Sequence, residues 1–140
     1  MSLKTYNNEE VSVILGGRVM TGMAETDAIT ISRENDSWVD RAGMRGGVTR
    51  SKSSDKRGSI VIRLEQTSTD NDYLSEKADL DEKSAAGIIS VLIRDAQGTT
   101  LCSAPEAWVM KPADVSFAKE SGEREWTIRC ADLSTFVGSN

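Results

Sequence analysis

The side chains of this 140-residue chain that could do chemistry are two cysteines, twenty-two acids and seventeen basic residues, with no histidine. The missing histidine removes the commonest general acid–base near neutral pH. Cys102 and Cys130 cannot complete a Cys/His zinc set within one chain. Both lie in strand-like runs, TTLCSA and WTIRCA, where a buried, reduced thiol is expected before a disulfide or a reactive nucleophile. Carboxylate pairs can do acid–base work, but no acid here falls in a motif with mechanical meaning. There is no GxSxG, no P-loop and no GxGxxG after a strand. ILGGRV holds only a glycine pair between two apolar runs, which reads as a turn. The expectation is a protein with no catalytic site, no metal and no cofactor.

The other chemically distinct feature is a basic stretch. Residues 44–58, MRGGVTRSKSSDKRG, carry Arg45, Arg50, Lys52, Lys56 and Arg57 against one acid, Asp55, a net of +4. The whole chain has a formal net of −5, so the rest carries −9. Tight binding of nucleic acid needs an excess of Lys and Arg, which this acidic body lacks, so a DNA-binding adaptor is the weakest reading. The bland reading of 44–58 is a solvated loop. Trp38, Trp108 and Trp126 are expected in core or interface packing, with an aromatic binding platform as the alternative.

The elements that must position these residues are mostly strands. EVSVILG (10–16) alternates, Gly16-Gly17 supplies a tight hairpin, and RVMTGMA (18–24) is expected to return beside it. AITISREN (28–35) and SIVIRLEQ (59–66) follow the same period, with Ile60, Ile62 and Leu64 pointing inward. STDNDYLSEKADLDEKSAAG (68–87) predicts the one helix, opened by a capping box from Thr69 to Asp72 and closed at Gly87, with an Asp79–Lys83 pair. Its thin apolar stripe of Tyr73, Leu74, Ala78, Leu80 and Ala85 suits a helix on a sheet edge or barrel mouth. GIISVLIRD (87–95) predicts a central strand buried on both faces. TTLCSA (99–104), EAWVMKP (106–112), DVSFAKES (114–121) and REWTIRCADL (124–133) predict further strands, with Pro105 and Pro112 between them.

This pattern predicts a mainly β, single domain over 1–140: a β-sandwich or partly open β-barrel with one short α-helix at about 70–86 and an extended arm at about 40–58. A composition of 38% hydrophobic and 28% charged residues is that of a globular protein. No apolar run is long enough to span a bilayer. MSLKTYNNEE has no apolar signal core, so folding in a cytoplasm is expected.

Three ordered stretches resemble the tail tube proteins of contractile-tailed bacteriophages: KTYNNEEVSVILGGRVMTGMAETDAITISREND, TRSKSSDKRGSIVIRLEQTSTDNDYLS and EAWVMKPADVSFAKESGEREWTIRCADL. The type VI secretion tube protein has a similar fold. The resemblance implies a β-barrel-like protomer that forms six-membered rings stacked into a hollow inner tail tube, conducting DNA at ejection. It implies a sheath protein outside, tape measure protein and DNA transiently within, baseplate and terminator proteins at the ends, a place in the virion tail, and assembly in the host cytoplasm. It makes 44–58 an inter-subunit arm, with Arg45, Arg50, Lys52, Lys56 and Arg57 facing the acidic bodies of neighbours. The alternative is a monomeric β-sandwich binding module that recognises carbohydrate or protein through its loops.

Overall fold

The computed structural model describes residues 3–25 and 28–140. Ten strands and one α-helix follow in the order β1 (Val11–Leu15), β2 (Arg18–Val19), β3 (Ile29–Arg33), β4 (Trp38–Ala42), β5 (Val48–Lys52), β6 (Gly58–Glu65), α1 (Asp70–Ser84), β7 (Ile89–Asp95), β8 (Leu101–Val109), β9 (Glu123–Cys130) and β10 (Ser134–Phe136). All strand pairs are antiparallel. Eight strands form one open sheet in the order β2-β1-β7-β8-β9-β6-β3, with β10 also on β8; β4 and β5 form a separate two-stranded hairpin.

β8 is the corner of the sheet. Its first half pairs with β7 and β10, its second half with β9. The register slips between Ile89 and Val91, which face Ala107 and Ala104. Pro105 therefore lies inside β8 at this bulge, not between strands, because the bulge leaves a position where no amide need donate. The curled sheet packs its inner face on itself. Val13, Leu15, Ile60, Ile62, Leu64, Val91, Ile93, Trp126 and Ile128 are all buried in one core with Leu74 and Ala78 of α1. As expected, Ile60, Ile62 and Leu64 point inward, and Cys102 and Cys130 are buried free thiols. Burial pushes both thiols up, Cys130 to about 11.

Gly16 and Gly17 have φ of +60° and +84°, so the expected hairpin turn forms between β1 and β2. The returning strand stops at Val19 because the chain then crosses the open side of the sheet. The Met20 amide donates to the Val13 carbonyl, and the Ala24 amide donates to the Arg63 carbonyl, which ties β1 to β6 without a ladder. Asp70 fixes this crossing. Its buried carboxylate accepts from the Thr21 and Gly22 amides at 2.8 and 2.9 Å and from Arg18 Nε at 3.1 Å. Burial alone would raise the Asp70 carboxyl, but the Gly22 and Thr21 amides and Arg18 outweigh it and hold it below the ordinary range.

The helix begins and ends where expected, by different means. Ser68 Oγ, not Thr69, accepts an amide, that of Asp70, at 3.1 Å. Ala85, not Gly87, takes the left-handed turn, with its amide on the Asp81 carbonyl. Gly87 is needed for closeness instead: a Cβ there would lie 2.4 Å from the Lys77 carbonyl. The Asp79–Lys83 pair forms at 3.0 Å.

Two expectations in the C-terminal half are corrected. DVSFAKES forms no strand; it is an exposed loop that runs beside the first half of β9 without joining its ladder. β7 is central, but only its inner face is buried, and Ile88 and Leu92 are exposed outside because no second layer covers that face.

Candidate inter-subunit interface

The β3–β6 ladder ends at Arg33 and Gly58, but its two chains do not part there. The Glu34 amide donates to the Arg57 carbonyl, the chains bend, and they pair again from Trp38–Lys52 to Ala42–Val48. Gly43, Arg45, Gly46 and Gly47 turn the tip round Met44, with Gly46 at φ +86°. The hairpin thus runs from residue 38 to 52, earlier than the arm read from the sequence. Residues 53–57 return to the body as its root.

The root is firmly tied to the domain. Arg33 donates through Nε and an Nη to the Leu133 carbonyl at 3.2 and 2.9 Å, while the Leu133 amide donates to the Lys56 carbonyl at 2.9 Å. Arg129 pairs with Glu34 at 2.7 Å and donates to Ser59 Oγ at 3.1 Å. Beyond the root, every residue of both hairpin strands is exposed. Two strands alone are marginal in water. A tight stack helps them: the Arg50 guanidinium lies 4.0 Å from the Trp38 ring centroid, with Asp40 directly opposite Arg50 in register.

The five basic residues play different parts. Arg57 is spent locally on Asp55, with contacts of 2.9–3.2 Å, and holds the Asp55 carboxyl down to about 2. Arg50 is held over Trp38. Arg45 sits at the tip, and Lys52 and Lys56 line a polar hollow with Ser53, Ser54, Ala131 and Asp132. Among the described residues none of these last three has an ion-pair partner within 4 Å.

The three tryptophans are not brought together. Trp38 is 44% exposed on the hairpin. Trp108 is half-buried on the outer face of β8, opposite Arg129. Trp126 is in the core and donates its indole N–H to Asn71 Oδ1 at 2.9 Å. They form no common platform.

One surface escaped the sequence reading. Ile14 faces Val19 and Leu92 in register, and Arg94 faces Leu101, which faces Phe136. Cross-strand partners share a face, so Ile14, Val19, Leu92, Leu101 and Phe136 lie together on the outer side of β2-β1-β7-β8-β10, interrupted by Arg94 and by Ser103, the partner of Leu92. Val19, Leu92, Leu101 and Phe136 are 39–63% exposed. The signal was present in the near-continuous apolar run of 87–93, which fits a strand covered on both sides only once something outside the protomer covers it.

Among the described residues, no group of three or more Cys, Asp and Glu side chains stands together as a metal site would.

Residues 5–138 match the family described as bacteriophage PhiTE tail tube protein. Structural protein ORF10 of Pseudomonas phage KPP10 is 24% identical over 144 residues, covering 97% of this chain and 83% of that protein. Among solved structures, the tube-terminating cap of the anti-feeding prophage superposes with a TM-score of 0.67 at 7% identity, covering 97% of this chain and 93% of that one. The sheath–tube complex of the extracellular contractile injection system PVC gives 0.58 at 11% identity, covering 94% and 91%. A chain of the native gene transfer agent particle gives 0.56 at 18%, covering 95% and 100%. At these identities the solved structures speak for the fold.

Proposed function

The chain belongs to the bacteriophage PhiTE tail tube protein family, a structural component of the tail, and we propose that it polymerises as six-membered rings stacked into a hollow inner tube through which DNA passes at ejection. The observation that carries this reading is the 38–52 hairpin: rigid at its root, exposed on both faces, and too small to be stable for its own sake. Such an element is explained by a neighbour that covers it.

Two surfaces share the work. The apolar side chains on the outer face of the sheet supply the area for lateral contact within a ring. The hairpin reaches beyond its own domain and sets the stacking of one ring on the next. Of the five basic residues of 44–58, Arg45, Lys52 and Lys56 are the ones available for that contact. Arg50 and Arg57 act mainly on the hairpin and its root. An exposed ion pair contributes only about 0–1 kcal/mol, so the charges set register and partner choice while apolar burial supplies affinity.

A conduit for DNA should not bind phosphate, and the −9 carried outside residues 44–58 suits that need. The role needs no catalysis. Sheath protein outside, terminator and baseplate proteins at the ends, and tape measure protein within are the partners this reading implies, with assembly in the host cytoplasm. The PVC relative comes from a sheath–tube complex and the anti-feeding prophage relative from a tube-terminating cap, which supports such neighbours. The alternative, a monomeric module with a tryptophan platform, has lost its platform. Electron microscopy of the concentrated protein tests the reading: stacked rings support it, and a strict monomer with affinity for glycans opposes it.

A further inference from the structure

The hairpin tip ends in an unusual side chain for a solvated loop. Met44 is completely exposed, at 104% of its reference area, and nothing in its own chain covers it. Arg45 follows it directly, and Arg41 lies at the end of β4. The tip is therefore an apolar knob with a basic collar.

A matching hollow lies at the other end of the same ladder. A groove of about 440 Å³ opens where the chain crosses from β1 to β6. Val11, Val13, Met23, Ala24, Ala28 and Ile29 form its lining. Tyr6, Asn8 and Glu25 complete its walls, and the exposed Glu9 and Glu10 follow Asn8. At ~30 Å³ per water, this volume holds on the order of fifteen waters against a largely apolar lining, so filling it with an apolar side chain releases water favourably. The larger hollow, about 590 Å³, is a poorer receptor because Lys52 and Lys56 line it and would repel a basic tip.

Position completes the case. The groove touches Ile29 at the start of β3, whereas the hairpin leaves from Arg33 at its end. Knob and hole lie at opposite ends of one ribbon, so a chain cannot fill its own groove. Two different patches that fit each other between copies give a heterologous contact, which builds a ring where its rotation closes and an open stack where it does not.

We propose that the groove lined by Val11, Met23 and Ile29 receives the hairpin tip of a second copy of this chain, with Met44 as the knob and Glu9, Glu10 and Glu25 facing Arg41 and Arg45. This rests on the stacked-assembly reading and gives the hairpin its receptor.

The test uses the full-length protein. Because Met44 is fully exposed, Met44→Asp leaves the protomer folded by circular dichroism. It raises the concentration needed for tube growth at least about tenfold, the scale of one lost apolar side-chain burial, whereas Met44→Leu leaves it unchanged. In a mixture of Met44→Cys and Ala28→Cys proteins, mild oxidation yields a cross-linked dimer. Met44→Cys mixed with Thr30→Cys, on the outer face of β3, does not. Tubes that grow normally from Met44→Asp, or that cross-link equally through Thr30→Cys, overturn the groove as receptor while stacked assembly stands. Failure of the unsubstituted protein to form tubes at any concentration overturns the assembly reading itself, and the groove with it.

Discussion

Replacing Asp70 by Asn keeps the side chain's shape and removes its charge from the crossing that closes the open side of the sheet. The carboxylate accepts from two backbone amides, Thr21 and Gly22, and from Arg18. An amide can keep only part of this set and turns a donor toward donors. Hydrogen bonds to a charged group contribute about 1.5–3 kcal/mol each. They are not additive here, and Arg18 is partly solvated, so about 2–4 kcal/mol is the expected loss for the group. For a domain of this size that lowers Tm by roughly 6–12 °C, or moves the urea midpoint by about 1–2 M.

The pH dependence has a definite sign. The folded Asp70 carboxyl is held below its ordinary value, so its stabilisation is present above the unfolded pKa of about 3.9 and is lost as pH falls through the lower folded value. The gap between native protein and Asp70→Asn should be constant from pH 8 to about 5 and narrow below about 4. Urea unfolding followed by tryptophan fluorescence measures it, with the exposed Asp72→Asn as control. A loss below about 0.5 kcal/mol, or a gap that widens in acid, refutes Asp70 as the anchor.

Three further outcomes follow from the same structure. Trp38→Ala removes the stack under Arg50, so amides of 39–51 should exchange much faster while those of 60–64 keep their protection; equal protection in the hairpin would show that the stack is dispensable. Replacing Arg50, Lys52, Lys56 and Arg57 together by Ser should leave the protomer folded and shorten tubes, and native tubes should shorten between 0.1 and 1 M salt as the Debye length falls from about 10 to 3 Å; normal tubes in both tests would make the charges incidental. The buried thiols should resist an aromatic disulfide reagent at pH 8 in the native protein and react at once in denaturant, because burial raises both, Cys130 to about 11; fast native labelling would contradict the packing of β8 and β9.

Much of the fold was legible because period two is a strong signal when one face is buried. SIVIRLEQ alternates cleanly, and the strand forms with Ile60, Ile62 and Leu64 inside. The glycine pair at 16–17 and the charge pattern of 68–84 marked their turn and helix for local reasons that tertiary packing did not override. Long-range contacts were less legible. Nothing local in Asp70 says that its carboxylate will hold amides forty-eight and forty-nine residues away. VSF in 114–121 alternates like a strand, yet a strand also needs a partner ladder, and sequence period does not show that this segment joins none. The basic stretch was visible by charge, but its strand pairing begins at Trp38, directly after the polar run SRENDS that reads as a break. The unequal roles of the five cations depend on Trp38 and Asp55 lying where the hairpin places them.

The central claim is that this chain builds a tube through its hairpin and sheet face. Cryo-electron microscopy of the full-length protein, concentrated and seeded with tail fragments, tests it most directly. The account predicts hollow tubes of stacked six-membered rings in which each 38–52 hairpin crosses to a protomer of the next ring. A protein that stays monomeric under seeding, or tubes in which the hairpin folds back on its own domain, would contradict it.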